Sequence, residues 1–292
     1  MTRFVSVFAV GVVLAASPSA RAADQACSEL QPAIDLKSSP TDDRRQFCKF
    51  AKDTVAGGCC QSSLYDCLKA KPTCARGQVL GSIGLGVIST GATEEKAVEA
   101  ATAYEDTFPL EKRAVMDTSK TPCRGAKDGV VLAEFSDFDC PHCAAASPII
   151  RKVVDDDKGI RFCSFTFPLP GHRFSALASA AAMYADSQGK FWPMAEALFA
   201  TQGERETDEE DAYRAQIMKV GATVGLDPKA VGDAMGAKSP FMEKVRDQQM
   251  LGIGLLLQGT PTFFVEGRVL NGIPLNQIED VVRDERESKG KK

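Results

Sequence analysis

The sequence predicts an α/β fold preceded by a small, cysteine-rich helical region, and three observations carry that reading. Val130 to Ser136 (VVLAEFS) and Gly159 to Leu169 (GIRFCSFTFPL) are apolar, strand-like runs separated by a helical pattern, the signature of a β-α-β unit. Residues 172–257 are helical in character, punctuated by Pro193, Gly203, Gly221, Gly225 and Pro240. A hairpin pattern follows, Thr262 to Val265 and Arg268 to Leu270 about Glu266-Gly267. Six of the ten cysteines, Cys27, Cys48, Cys59, Cys60, Cys67 and Cys74, precede all of this.

With 292 residues and 44% hydrophobic content, the chain can bury a full core and hold one ordinary domain plus a smaller one. A formal net charge of -4, with both signs interspersed, argues against nucleic acid or an anionic membrane surface as the main partner. The two histidines, His142 and His172, are too few for a His-rich metal centre and make a Ser-His-Asp triad improbable on composition. Sulfur remains as the main reactive chemistry. Residues 1–22 read as an export signal, with basic Arg3, apolar Phe4 to Ala16, and the small-x-small site Ala20-Arg21-Ala22. No later stretch reaches about 18 apolar residues, so a soluble mature protein is expected, with an uncleaved anchor as the alternative. Export into an oxidising compartment, the bacterial periplasm by expectation, makes an even cysteine count a sign of disulfides.

Taken in order, residues 23–118 form the cysteine-rich helical region. Leu64, Leu68, Val79, Leu80, Ile83 and Val87 have roughly helical spacing, Gly91-Ala92 breaks it, and Thr93 can cap a second helix ending near Phe108-Pro109. The six cysteines allow three bridges in any of about 15 connectivities. A disulfide-stapled module is the simplest reading. Zinc is a poor alternative, because Cys59 and Cys60 are adjacent and the other gaps match no common zinc spacing. A second redox site is the third reading. Cys59 to Leu64 (CCQSSL), followed by a helical pair ending near Tyr104, loosely resembles the CcmH family of cytochrome c maturation proteins. Gly57 stands where that family's CxxC would begin, so no functional residue is carried across.

Lys120 to Gly129 reads as a linker turning into a first strand. Between the strand from Val130 and a helix over Ala144 to Val154 lies Cys140-Pro141-His142-Cys143. This spacing lets both sulfurs meet in one disulfide, and the unpaired N–H groups of a helix start can hold the first sulfur as thiolate. A protonated His142 would add to that stabilisation. Pro141 fits the first helical turn, where its missing N–H costs nothing. Gln188 to Trp192 and Ala197 to Phe199 read as helix packing. A last helix, about Leu275 to Glu287, precedes a basic tail.

Four ordered blocks carry a more specific signal: EFSDFDCPHC (Glu134 to Cys143), FPLPGHRFSALASAAAMYA (Phe167 to Ala185), QGKFWPMAEALFATQ (Gln188 to Gln202) and GTPTFFVEG (Gly259 to Gly267). Over roughly Val130 to Val282 the chain resembles the DsbA-like, thioredoxin-fold disulfide oxidoreductases. The resemblance implies a thioredoxin domain over residues 119–288 with a helical insertion at about 172–257. It implies that Cys140 is the exposed nucleophile, Cys143 the resolving thiol, and Thr260-Pro261 the loop facing the disulfide. A trans bond is the base-rate expectation at Pro261, since only about 5 to 6% of X-Pro bonds are cis; the resemblance reverses it. A cis bond would present the Thr260 backbone to an extended client peptide.

Thr260 also stands where the best-known oxidases of the family have Val and related isomerases have Thr. The strand before the CPHC strand should lie beside the one after it, so that Cys123 and Cys163 can meet in a structural bridge. Glu134 falls in a strand covered on both faces, where family members carry an acidic residue. It can exchange a proton with Cys143, or be a charge held by a structural partner. Asp137 and Asp139 read as solvated loop carboxylates that mildly oppose a thiolate.

A disulfide donor needs a pair more stable reduced than oxidised, and a low pKa at Cys140 provides this. The expected function is a periplasmic thiol-disulfide oxidoreductase that passes its Cys140–Cys143 disulfide to cysteine-containing clients, with no cofactor or metal. A membrane quinone-linked disulfide oxidase would regenerate it. The alternatives are an isomerase, a reductant such as one serving cytochrome c maturation, or a non-catalytic binding module with structural cysteines.

Overall fold

The structure, a computed structural model, describes residues 28–31, 33–205, 207–270 and 275–289. The export-signal segment and Cys27 lie outside the described residues. The N-terminal region opens with α1 (Thr41–Asp53), whose apolar face buries Phe47, Cys48, Phe50 and Ala51. A two-stranded antiparallel ribbon follows, β1 (Val55–Ala56) with β2 (Ser62–Ser63). Next come α2 (Leu64–Lys69), capped by the Ser63 hydroxyl accepting from the Asp66 N–H, α3 (Ala75–Ser89) and α4 (Glu94–Glu105). The helical spacing from Leu64 to Val87 therefore spans two helices instead of one. Pro72 lies between them and cannot continue a helix.

Disulfides Cys59–Cys74 and Cys60–Cys67 staple the ribbon to α2 and to the start of α3, and Cys48 is disulfide-bonded as well. The vicinal pair Cys59-Cys60 is thus split between two bridges. Their sulfurs are bonded to sulfur and are not open thiolates.

The second half contains β3 (Cys123–Gly125), β4 (Val130–Ser136), α5 (Pro141–Asp156) and β5 (Ile160–Thr166). Five helices follow: α6 (Ser175–Ser187), α7 (Phe191–Ala200), α8 (Glu210–Thr223), α9 (Pro228–Ala234) and α10 (Pro240–Gly254). The hairpin β6 (Thr262–Val265) and β7 (Arg268–Val269) and the helix α11 (Ile278–Lys289) complete the chain. The sheet order is β3-β5-β4-β6-β7, with β4 and β5 parallel and the other neighbours antiparallel. β4 is the central strand and is buried along almost all its length, which explains its unbroken apolar character.

β5 ends at Thr166, short of the expected Leu169, because Pro168 has no N–H to give and the Leu169 N–H goes to Asp137. The β6–β7 turn uses Glu266 (φ 50°) and Gly267 (φ 80°), the two left-handed positions that match strand twist in a tight hairpin. A Cβ at Gly267 would also sit 2.4 Å from the Ala114 carbonyl oxygen, so glycine lets the interdomain segment lie against the hairpin.

The sheet divides the core. Phe135, Phe165, Phe167 and Phe264 fill one side, with the Phe135 and Phe165 rings stacked at 4.8 Å. The inserted helices enclose a cluster of their own around Ala181, Met194 and Ile217. Leu132, Val265, Val281 and Val282 belong to one continuous core with Phe47, Phe50, Leu80 and Ile83 of the N-terminal region. Two ion pairs cross between the same halves, Arg76 with Asp284 and Arg113 with Glu285, and pairs within each half extend them. Arg76 of α3 reaches Asp284 of α11 at 2.7 Å and Glu105 at 2.6 Å, while Arg268 of β7 meets Glu285 at 3.2 Å. Both guanidinium groups lie 3.3 Å from the centre of the Phe108 ring.

Candidate active site

β4 runs out into residues 137–139, and Cys140 takes the N-cap position of α5, with Pro141 at its first turn. Both cysteines are free thiols. The Cys140 sulfur lies 3.3 Å from the Thr260 carbonyl oxygen, and the Asp137 N–H points at the Cys143 sulfur at 3.5 Å. The Thr260–Pro261 bond is cis.

The two sulfurs are chemically unequal. A hydrogen bond from the Cys143 thiol, opposed by burial, and helped by the Thr260 side chain and the N–H groups of Cys143 and His142, draws Cys140 down to about 5. Burial, the neighbouring Cys140 and the charge of Glu134 push Cys143 far above the ordinary thiol range. Of the two thiols, Cys140 is therefore the one that gives up its proton first.

Cys140 retains only 3% of its surface, which corrects the expectation of an exposed nucleophile. The Thr260 loop lies against its sulfur and covers it. His142 is exposed, and the contribution to Cys140 that the geometry displays is its backbone N–H. Glu134 is 5% exposed in the middle of β4, between Ser164 on one side and Phe263 on the other. Its Oε1 has no hydrogen-bond partner among the described residues. Burial, partly offset by the Ser136 side chain and Arg124, raises its carboxyl to about 7. Cys123 and Cys163 face each other across the β3–β5 ladder and are disulfide-bonded, with Cα atoms 4.1 Å apart.

Asp137 is not solvated, and Asp139 is part-buried and paired. Asp137 is wholly buried and accepts from the Ser175 hydroxyl, from the Leu169 and Asp139 N–H groups at 2.8 Å, and from His172 Nδ1 at 2.7 Å. Asp139 accepts from the Tyr213 hydroxyl at 2.8 Å and from Arg205 at 3.1 Å. Apart from the Asp139 N–H, these partners come from residues 169–213, far along the chain, so local polarity alone suggested solvent. His172 is the site residue that sequence reasoning passed over. Its only signals were its rarity and its place in the FPLPGHRFS block.

A free dithiol of divided acidity at the start of the helix after a central strand, facing a cis-proline loop, with a helical insertion between the two halves of the sheet, defines a DsbA-like thioredoxin-fold protein. The thioredoxin family model matches residues 117–284, more than half of the chain, and the chain belongs to that family. Disulfide bond formation protein D of Bacillus subtilis is 29% identical over 179 residues, 58% of this chain and 78% of that protein. The Na(+)/H(+) antiporter NhaA 1 of Salinispora arenicola is 32% identical over 161 residues, 54% of this chain. The match spans only 23% of that antiporter's length. The oxidised BdbD structure from Bacillus subtilis shares the fold, with a TM-score of 0.52 at 23% identity, covering 61% of this chain and 98% of that one. Among the described residues, no helix is long and apolar enough to cross a membrane.

Proposed function

We propose that this protein is a thiol-disulfide oxidoreductase that donates the Cys140–Cys143 disulfide to cysteine-containing client proteins in the periplasm. The observation that carries this reading is the divided acidity of the pair, with Cys140 drawn down to about 5 beside a strongly raised Cys143. A stabilised thiolate favours the reduced pair, so its disulfide is readily given away. A client thiolate attacks the Cys140 sulfur, a mixed disulfide forms, and Cys143 leaves and takes a proton. Glu134, poised at about 7, is the group that supplies it. A second client thiolate then attacks the client sulfur of the mixed disulfide. The client leaves oxidised and Cys140 departs as thiolate.

Thr260 and Pro261 form the surface along which the client backbone lies, and the Cys123–Cys163 bridge stays intact while the active pair cycles. A membrane disulfide oxidase that passes electrons to quinone would restore the disulfide. Cys143→Ser should capture clients as mixed disulfides through Cys140, and recovery of no such adduct would sink the catalytic reading in favour of a binding module. Equilibration with glutathione separates the enzyme classes. A strongly oxidising pair supports the donor role, and a pair that stays oxidised in reducing buffer points to a reductant.

A further inference from the structure

We propose that the Asp137–His172 pair is the charge partner of the active sulfur, with the His172 imidazolium cancelling the Asp137 carboxylate beside Cys140 so that the thiolate can form. This rests on the reading of Cys140 as a reactive thiolate. Asp137 touches both cysteines and His172: its carbonyl accepts from the Cys140 N–H at 3.1 Å, its N–H points at the Cys143 sulfur at 3.5 Å, and its side chain binds His172 at 2.7 Å. Two carboxylates therefore stand in the three residues before a sulfur that must carry negative charge. Each has its own answer. Asp139 is paired with Arg205 and the Tyr213 hydroxyl, and Asp137 is paired with His172.

With Nδ1 on the buried carboxylate, the opposite ring nitrogen is turned away from it. His172 lines a cleft of ≈ 350 Å³ together with Asp139 and with Pro141 of the redox motif. Its side chain is 28% exposed, which permits proton exchange with solvent. The charged and titratable groups around it are Asp137 and Asp139 from the loop before α5 and Cys140 itself. Arg173 and Asp208 come from connecting segments, Arg205 from the turn over Gln202–Arg205, and Tyr213 from α8. Partial burial works against the imidazolium, but the hydrogen bond and charge of Asp137, with Cys140 and Asp139, raise its pKa above the usual value. The cation is thus retained to higher pH, and its support for the thiolate fades as pH rises through the imidazolium pKa.

The test is titration of the Cys140 thiolate by its ultraviolet absorbance in the reduced full-length chain. His172→Gln keeps a hydrogen bond for Asp137 but removes the charge, and should raise the Cys140 midpoint by about half a pH unit or more, about a threefold fall in the thiolate-to-thiol ratio. His172→Lys restores a cation and should bring the midpoint back toward wild type. An unchanged midpoint in His172→Gln overturns the proposal. So does an equal rise in both variants, which would mark His172 as a loop brace. A wild-type midpoint in the ordinary thiol range would instead remove the oxidant reading itself.

Discussion

Glu134 shows how the cost of one buried side chain to the fold depends on pH. It occupies the middle of the central strand at 5% exposure, with its carboxyl raised from 4.5 to about 7 by burial. The folded state holds the proton more tightly than the unfolded chain does. This stabilisation is fully present below 4.5 and is lost as pH rises through about 7. The difference is worth about 3 kcal/mol. Glu134→Gln should therefore gain about 3 kcal/mol over the wild type above pH 8 and almost nothing near pH 4. Urea unfolding of the reduced protein at the two pH values checks this, and a gain of equal size at both would contradict a titrating Glu134. The carboxyl's place in a buried strand was legible in the sequence, because a charge inside VVLAEFS has no local explanation. The burial of Asp137 and the pairing of Asp139 were not legible, since their partners lie as much as 74 residues away along the chain.

At the scale of elements, α5 and the strands around it follow from local rules. An apolar run precedes the helix, proline occupies its first turn, and a cysteine of the neighbouring strand stands in register with Cys123. The packing of α3 on α1 does not follow from such rules, because only the assembled pair shows which glycine is filled by a neighbour. A Cβ on Gly84 would lie 2.0 Å from the buried Phe50 ring, whereas one on Gly86 would meet nothing within 4 Å. Alanine favours a helix by about 1 kcal/mol over glycine, but overpacking a core costs about 1–3 kcal/mol. Gly84→Ala should therefore lower thermal stability, with a net loss of about 1–2 kcal/mol, while Gly86→Ala should raise it by up to about 1 kcal/mol. The same response from both would mean that α3 does not sit against α1 in this way.

Across the whole molecule, the N-terminal region and the thioredoxin domain share one core and are joined by buried charges. Asp284 is 1% exposed and receives Arg76 at 2.7 Å and the Tyr104 hydroxyl at 2.9 Å. Asp284→Asn leaves Arg76 buried with Glu105 as its remaining anion. Removing one partner of a buried pair costs about 3–5 kcal/mol, and the remaining pairing places this case near the lower end. The loss should appear as a lower denaturant midpoint in a single transition by every probe, because the two regions unfold together. Two separated transitions, with only the first moved by the substitution, would show that the regions are independent.

The sequence by itself determined the β-α-β unit, the CPHC motif at a helix start, the helical stretch that follows and the closing hairpin. Each of these is written in residues close together in the chain, where periodicity, proline and glycine act. Tertiary structure decided what required distant residues to meet. It covered Cys140 with the Thr260 loop, placed Asp137 under His172 and Ser175, and divided Cys59 and Cys60 between two bridges. It also fused the cysteine-rich region to α11 through Arg76 and Asp284, and to β7 through Phe108 and Arg268. The physical reason is the same in each case. The free energy of a buried charge or sulfur depends on the partners that replace water around it, and those partners are chosen by the fold.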